Sequence, residues 1–333
     1  MKIRFGIIGT NFVTDWVIEA MREDSRVSAE AVYSRTQERA DAFAAKHTIP
    51  HRFTSLAEMA SSDQIDAVYI ASPNSCHAPQ SILFMNHGKH VLCEKPLASN
   101  SREVKEMIAA AQRNGVVLME ALKTTLTPNF RTVLENLERV GKPRHYFAAY
   151  CQYSSRYDKL KAGIVLNAFN PELSNGAAMD VGIYTIYPMV VLFGRPHLIK
   201  AAGLRLHTGV DGSGSVVFSY DGMEAAVLYS KVSDSMLPTE IQGEEGSIVL
   251  DRINTISRVL FRSRLKKSEE DITRERGHHE YFYQIDEFVS LIERGESESK
   301  INSLDNSLAV IEIIEEIRRQ VGIVYPADRK SVP

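Results

Sequence analysis

The 333-residue chain is 44% hydrophobic and 24% charged, enough apolar material for one large core or two smaller ones. A formal charge of −3 with no polybasic stripe argues against nucleic acid and anionic lipid as partners. Apolar runs such as "GIVLNAF" and "YPMVVLFG" fall short of the ~20 residues of a membrane span, and polar residues arrive too early after Arg4 for a secretory signal, so a cytoplasmic protein with no membrane partner is expected.

The chain opens with a strand, "IRFGII", that breaks at Gly9 into a helix from about Phe12 to Arg22. A strand, a glycine turn and a helix N-terminus can hold a pyrophosphate, and Gly9, Thr10, Asn11 and Phe12 are the candidate residues of that turn. Only the turn glycine of the G-x-G-x-x-G pattern is kept. Asn11, the residue that best tolerates a left-handed backbone after glycine, and the small Thr14 stand where the other two are expected. By itself this turn fits other parallel α/β proteins equally well.

The next strand, "SAEAVYS", ends on Ser34 and Arg35 rather than on the Asp or Glu that accepts from an NAD ribose. Arg35 can lie over the adenine or pair with a 2′-phosphate, Ser34 can donate to it, and Arg39 follows one helical turn later in "TQERADAFAAKH". NADP(H) is therefore preferred, with NAD(H) as the alternative.

Strand "IDAVYIAS" then runs into "ASPNSCHAP", which offers Ser72, Pro73, Asn74 and His77 to the nicotinamide half, and a helix is expected from Ala78 to Asn86. "KHVLCEK" ends at Glu94, Lys95 and Pro96, on the strand edge where ligands bind in open α/β sheets; a cis Lys95-Pro96 bond would aim the lysine into the site. A helix from Ser101 to Asn114 and the strand "GVVLME" complete the series. Apolar strands alternating with helices imply a doubly wound parallel α/β sheet with right-handed crossovers.

After about Leu122 the pattern changes. A helix, "NFRTVLENLERV", leads into alternating segments such as "PRHYFAAYCQYSS", "SGSVVFSYDGMEAAVLYSK" and "TEIQGEEGSIVLDR", which read as an antiparallel meander. Between them "AAMDVGIYTIYPM" is a helix that sets Asp180 and Tyr184 four residues apart on one face, where a carboxylate and a phenol can converge on one substrate. A buried carboxylate on an apolar helix needs a partner, which favours a working role over a structural one. Glu120, Lys123, Asn129, Tyr153, Arg156 and Asn167 are further candidates for reaching a substrate.

"RLKKSEEDITRERGHHE" reads as a solvated loop or strand edge, and its adjacent histidines as solvated rather than metal-binding. Two helices, "EYFYQIDEFVSLIERG" and "SLDNSLAVIEIIEEIRRQVG", close the chain, the second with Ser303 as N-cap and Gly322 as its stop. Cys76, Cys93 and Cys151 lack metal or disulfide spacing and are expected as reduced, mostly buried thiols. No metal is expected.

Taken in order, "GIIGT", "YSR", "ASPNSCH", "CEKP", "MEA" and "SNGAAMDVGIY" resemble the glucose-fructose oxidoreductase, inositol dehydrogenase and MocA (Gfo/Idh/MocA) family over essentially the whole chain. Within it they are most similar to the NADP-dependent branch of dimeric dihydrodiol dehydrogenase and glucose-fructose oxidoreductase. The resemblance implies an NAD(P)-binding Rossmann domain, 1–122, and an α+β domain, 123–333, with a large, mostly antiparallel open sheet for substrate binding and oligomerisation. It implies hydride transfer between the nicotinamide and a secondary alcohol or carbonyl of a sugar, cyclitol or dihydrodiol, with Lys95, Asp180 and Tyr184 as the catalytic set. Tyr184 is the expected proton donor, Lys95 lowers its pKa or binds the reacting oxygen, and Asp180 orients Lys95 or a substrate hydroxyl. A homodimer joined through the open sheet face is implied as well. The departures are Asn11 and Thr14. Two rival readings are a non-catalytic dinucleotide sensor of the same fold and an enzyme that retains and recycles its cofactor.

Overall fold

The computed structural model describes residues 2–329; positions 330–333, which end the second domain as read from the sequence, lie outside the described residues. The chain divides into two compact units, one formed by the residues up to Lys123 with His278–Leu308, the other by Thr124–Gly277 with the chain from Ala309 onward. The first stretch of the first unit ends at Lys123. Segment His278–Leu308, assigned above to the second domain, instead belongs to the first.

In the first unit β1 (Ile3–Ile8), β2 (Val27–Tyr33), β3 (His51–Phe53), β4 (Ala67–Ile70), β5 (His90–Glu94) and β6 (Leu118–Ala121) form a parallel sheet in the order β3-β2-β1-β4-β5-β6. They alternate with α1 (Phe12–Met21), α2 (Gln37–His47), α3 (Leu56–Ser61), α4 (Asn74–Asn86) and α5 (Ser101–Asn114). The sequence pattern misses β3 and α3. β3 has three residues, none fully buried, so it offers no periodicity to read. Helix α4 starts a turn earlier than expected, directly after Pro73, whose fixed φ of −59° suits the entry to a helix. Helix α5 has the expected limits, because the Asn100 side chain accepts from Glu103 N–H at its start and Gly115, at φ +61°, ends it.

The second unit contains α6 (Pro128–Asn136), β7 (Pro143–Cys151), α7 (Tyr157–Lys161) and α8 (Ile183–Phe193), then β8 (Leu198–Arg205), β9 (Asp211–Tyr220), β10 (Met223–Ser230), β11 (Thr239–Gly243), β12 (Gly246–Leu250), β13 (Val259–Ser263) and β14 (Ser268–Asp271). The eight strands run in the order β14-β13-β12-β11-β7-β10-β9-β8. The expected meander needs one correction: β7 pairs parallel with β10, Phe147 against Ala226, while the other pairs are antiparallel. A parallel pair needs a long crossover, which the chain between them, carrying α7 and α8, supplies. Edge strand β14 is fully exposed and lies in the charged stretch read above as a solvated loop or strand edge.

Helix α8 covers one face of this sheet, where the Tyr146 hydroxyl donates to Thr185 O at 3.0 Å and the Tyr146 and Phe193 rings meet at 5.9 Å. On the other face Leu198, Leu204 and Val217 are about half exposed. The stretch Pro171–Phe193 is long and apolar enough to cross a membrane by composition, yet it is largely buried inside the second unit.

Helices α9 (Phe282–Arg294) and α10 (Leu304–Val321) follow. Helix α9 belongs to the first unit because its apolar stripe, Ile285, Phe288 and Val289, is buried there, with the Phe288 ring 5.8 Å from Phe5 of β1. Arg26 adds ion pairs to Asp286 and Glu293 of the same helix. The α10 cap is as expected: Ser303 Oγ accepts from Asn306 N–H at 3.1 Å, and Gly322 stands at φ +78°. Of the cysteines only Cys93 is fully buried; Cys76 and Cys151 are half-buried, and all three are free.

Candidate active site

In the first unit the strands beside the order reversal, β2, β1, β4 and β5, end nearly in line: Ile8 lies opposite both Tyr33 and Ile70, and Ile70 opposite Cys93. The turns that leave these ends carry Gly9 to Phe12, Ser34 with Arg35, Ser72 to Asn74, and Glu94 with Lys95. The expected cofactor residues thus share one sheet edge, at the topological switch point where open α/β sheets take ligands.

Gly9 has φ +108°, and a Cβ there would lie 2.5 Å from Ala71 O, so the position admits only glycine. Asn11 differs from expectation. It is extended, at φ −101°, rather than left-handed, and serves as the N-cap of α1: Oδ1 accepts from Val13 and Thr14 N–H at 2.8 and 3.3 Å while Nδ2 donates to Ala71 O. Asparagine replaces glycine here because the cap needs a side-chain acceptor, not conformational freedom. Thr14 is wholly buried, in keeping with a small residue at a close helix packing.

Ser34 is buried at the end of β2, whereas Arg35 and Arg39 are exposed. Two exposed cations in place of a carboxylate fit the 2′-phosphate of NADP(H).

The Glu94-Lys95-Pro96 turn is held from several sides. Its Lys95-Pro96 bond is cis. Tyr69 donates its hydroxyl to Glu94 Oε1 at 2.7 Å, and Leu97 N–H donates to Glu120 Oε1 at 2.9 Å. His77 is 1% exposed, with Nδ1 2.8 Å from Pro96 O and Nε2 2.9 Å from Ser72 O. The ring therefore lies between the turn after β4 and the turn after β5 and, when neutral, donates to one of the two carbonyls, a placement the sequence does not reveal. Burial lowers its pKa, aided by the Lys95 charge and opposed by the two carbonyls. Burial also raises the Glu94 carboxyl, against the pull of Lys95. Lys95 itself is half-buried.

Glu120 and Lys123, grouped above with residues reaching a substrate, lie in the first unit. Lys123 pairs with Glu280 and sits 4.9 Å from the Tyr281 ring centroid. Glu120 is 1% exposed, and burial pushes its carboxyl up to about 7, opposed by hydrogen bonds from Ser307 and Leu97 N–H. A carboxyl raised by folding carries no penalty while it is protonated in both states; stability is lost as pH rises from the unfolded value towards about 7, in total about 3 kcal/mol. Glu120→Gln, which keeps an acceptor for Leu97 N–H, is expected to match the wild-type melting temperature at pH 5 and exceed it at pH 8. Equal melting temperatures at both pH values would count against a buried, titrating Glu120.

In the second unit, every residue from Gly176 to Val190 is buried except Asp180 and Tyr184. Asp180 lies in a π-helical turn, Ala178–Gly182, that opens α8, a distortion often found at functional sites. The turn is fixed from behind by Asp211, a buried residue the sequence reading missed, whose oxygens accept from Ala177 and Ala178 N–H at 3.0 and 2.7 Å. Gly176 is required beside it, since a Cβ would lie 2.2 Å from Asp211 Oδ1. The Tyr184 ring packs edge-on to Tyr150 at 5.5 Å. Asp180 Oδ2 is 2.6 Å from the Nζ of Lys231, a second residue the sequence did not expose, because its partner is 51 positions away.

The other candidates lie elsewhere in the second unit. Asn129 donates to Ile256 O and accepts from Arg274 N–H. Tyr153 donates its hydroxyl to Asp158, Arg156 is exposed beside α7, and Asn167 opens a single 3₁₀ turn. His278 pairs with Glu23.

Residues 3–122 match the family model described as an oxidoreductase family with an NAD-binding Rossmann fold, and residues 131–249 match the GFO/IDH/MocA C-terminal domain. The chain is 55% identical over 327 residues to scyllo-inositol 2-dehydrogenase (NADP(+)) IolU of Bacillus subtilis, covering 98% of this chain and 99% of that one. It is 31% identical to trans-1,2-dihydrobenzene-1,2-diol dehydrogenase of Danio rerio, over 98% and 99% of the two chains. The crystal structure of KijD10, a 3-ketoreductase from Actinomadura kijaniata with NADP and TDP-benzene, superposes with a TM-score of 0.84 at 22% identity, over 98% and 99% of the chains.

Proposed function

Because the chain belongs to the Gfo/Idh/MocA family of oxidoreductases, we propose that it is an NADP(H)-dependent dehydrogenase that interconverts a secondary alcohol and a carbonyl on a cyclitol or a related polyol. The observation that carries this reading is the pairing of Asp180 and Tyr184 as the two residues left unburied on an otherwise buried helical stretch. Full-length similarity to an NADP(+)-dependent inositol dehydrogenase supports the substrate class, and Arg35 with Arg39 supports the cofactor.

The nicotinamide, when bound, takes or gives the hydride at the reacting carbon. The protein's part is the proton and the pose. As the alcohol is oxidised, its O–H proton passes to a positioned group; in reduction the same group returns it to the forming alkoxide. Tyr184 fills that role through its phenol oxygen, and the Lys95 ammonium stabilises the negative charge on the reacting oxygen. Asp180, as a carboxylate, accepts from a neighbouring substrate hydroxyl and so fixes which carbon is presented. The turn around Gly9, Thr10, Asn11 and Phe12 would hold the pyrophosphate, Ser34, Arg35 and Arg39 would hold the 2′-phosphate, and Ser72, Pro73, Asn74 and Glu94 would border the nicotinamide. His77, buried between the turns after β4 and β5, would support that border.

The test is incubation with NADP⁺ and scyllo-inositol while absorbance of the reduced cofactor is followed. Turnover supports the proposal; NADP⁺ binding without turnover on scyllo-inositol or a panel of polyols points to the sensor role.

The open sheet face bearing Leu198, Leu204 and Val217 is the proposed surface of a homodimer. Sedimentation at micromolar concentration is expected to give twice the chain mass, and Val217→Lys to shift it towards the monomer. A wild-type protein that sediments as a monomer overturns this.

A further inference from the structure

We propose that Lys231 is a positioning residue for the reaction, holding the Asp180 carboxylate in the orientation that receives the substrate; this rests on the substrate-binding reading of Asp180. Lys231 follows β10 directly and its main chain is tied on both sides: its N–H donates to Gly212 O at 2.8 Å and its carbonyl accepts from Ser154 N–H at 2.9 Å. The residue is 2% exposed. Its Nζ donates to Asp180 Oδ2 at 2.6 Å and to Ala168 O at 3.1 Å, and lies 5.0 Å from the centroid of the Phe169 ring.

Burying an ammonium costs several kcal/mol, and a buried ion pair seldom stabilises a fold better than apolar side chains of the same volume. The arrangement is therefore poorly explained by stability alone. It makes sense as a constraint on direction. Asp211 holds the main chain of the π-helical turn through two amides, but nothing in that contact sets the side-chain torsions of Asp180. Lys231 constrains that side chain from a strand end, engaging one carboxylate oxygen while the Asp180 side chain remains 35% exposed. A carboxylate held in this way loses little rotational freedom when substrate arrives, which is the benefit of preorganisation.

The experiment is a double-mutant cycle with Lys231→Met, Asp180→Asn and the double variant, measured on scyllo-inositol and NADP⁺, with NADP⁺ affinity and melting temperature recorded for each protein. Lys231→Met is expected to lower kcat/KM about a hundredfold for the polyol without changing NADP⁺ affinity. The double variant is expected to be no worse than the poorer single variant, because both act through one carboxylate. Lys231→Arg is expected to recover most of the loss. Where the methionine variant melts early, Lys231→Gln, which keeps a donor for Ala168 O, takes its place in the cycle. Full activity in Lys231→Met, or losses that multiply in the double variant, would overturn the positioning role while leaving the reading of Asp180 intact. Full activity in Asp180→Asn would instead overturn that reading, and with it this inference.

Discussion

Tyr184→Phe is expected to lower kcat about a hundredfold or more, with NADP⁺ affinity within twofold of wild type, because only the phenolic proton is removed. Lys95→Ala is expected to do the same by removing the charge that stabilises the reacting oxygen. The two effects should fall on kcat more than on KM, since the interactions strengthen as charge develops on oxygen. Steady-state kinetics with each variant, beside direct titration of NADP⁺, provides the check. If either variant turns over at the wild-type rate, that residue leaves the catalytic set. These kinetics are the direct test of the catalytic roles proposed for Lys95 and Tyr184.

The second large effect is expected at the end of β2. Arg35→Ala removes one cation from the position proposed for the 2′-phosphate, and charge-assisted hydrogen bonds of this kind contribute about 1.5–3 kcal/mol each. NADP⁺ should bind about ten- to a hundredfold more weakly while NAD⁺, which has no group there, changes little. The preference for NADP⁺ should also shrink as salt is raised, because Arg35 and Arg39 are exposed and screened. An unchanged ratio of NADP⁺ to NAD⁺ affinities in Arg35→Ala would move the 2′-phosphate away from this strand end.

Much of the first unit was legible because its signals are local. Strand β1 and helix α5 have the limits their sequences imply: an apolar run broken by Gly9 in one case, an Asn100 cap and a Gly115 stop in the other. Strand β3, with three partly exposed residues, carries no such signal. The fate of α9 shows a different limit. Its amphipathic pattern announces a helix with one apolar face but not which core will bury it, and that face is taken by the parallel sheet, Phe288 meeting Phe5 of its first strand. The parallel pairing of β7 with β10 is hidden for the same reason, since register between distant strands depends on the whole sheet.

The candidate residues divide along the same line. Gly9, Ser34, Arg35, Lys95, Asp180 and Tyr184 announce themselves by residue type at a strand end or helix face, which is short-range information that one sequence holds. The groups that hold them, His77 across two carbonyls, Glu120 on Leu97 N–H, Asp211 on two amides and Lys231 on Asp180, become visible only in three dimensions. Each joins residues 19 to 51 positions apart, except His77 to Ser72, and hydrogen bonds over such separations are selected by chain packing rather than by local pattern. The chemistry was therefore set by residue identity along the chain, and the orientation of its groups by the buried polar contacts that folding alone creates.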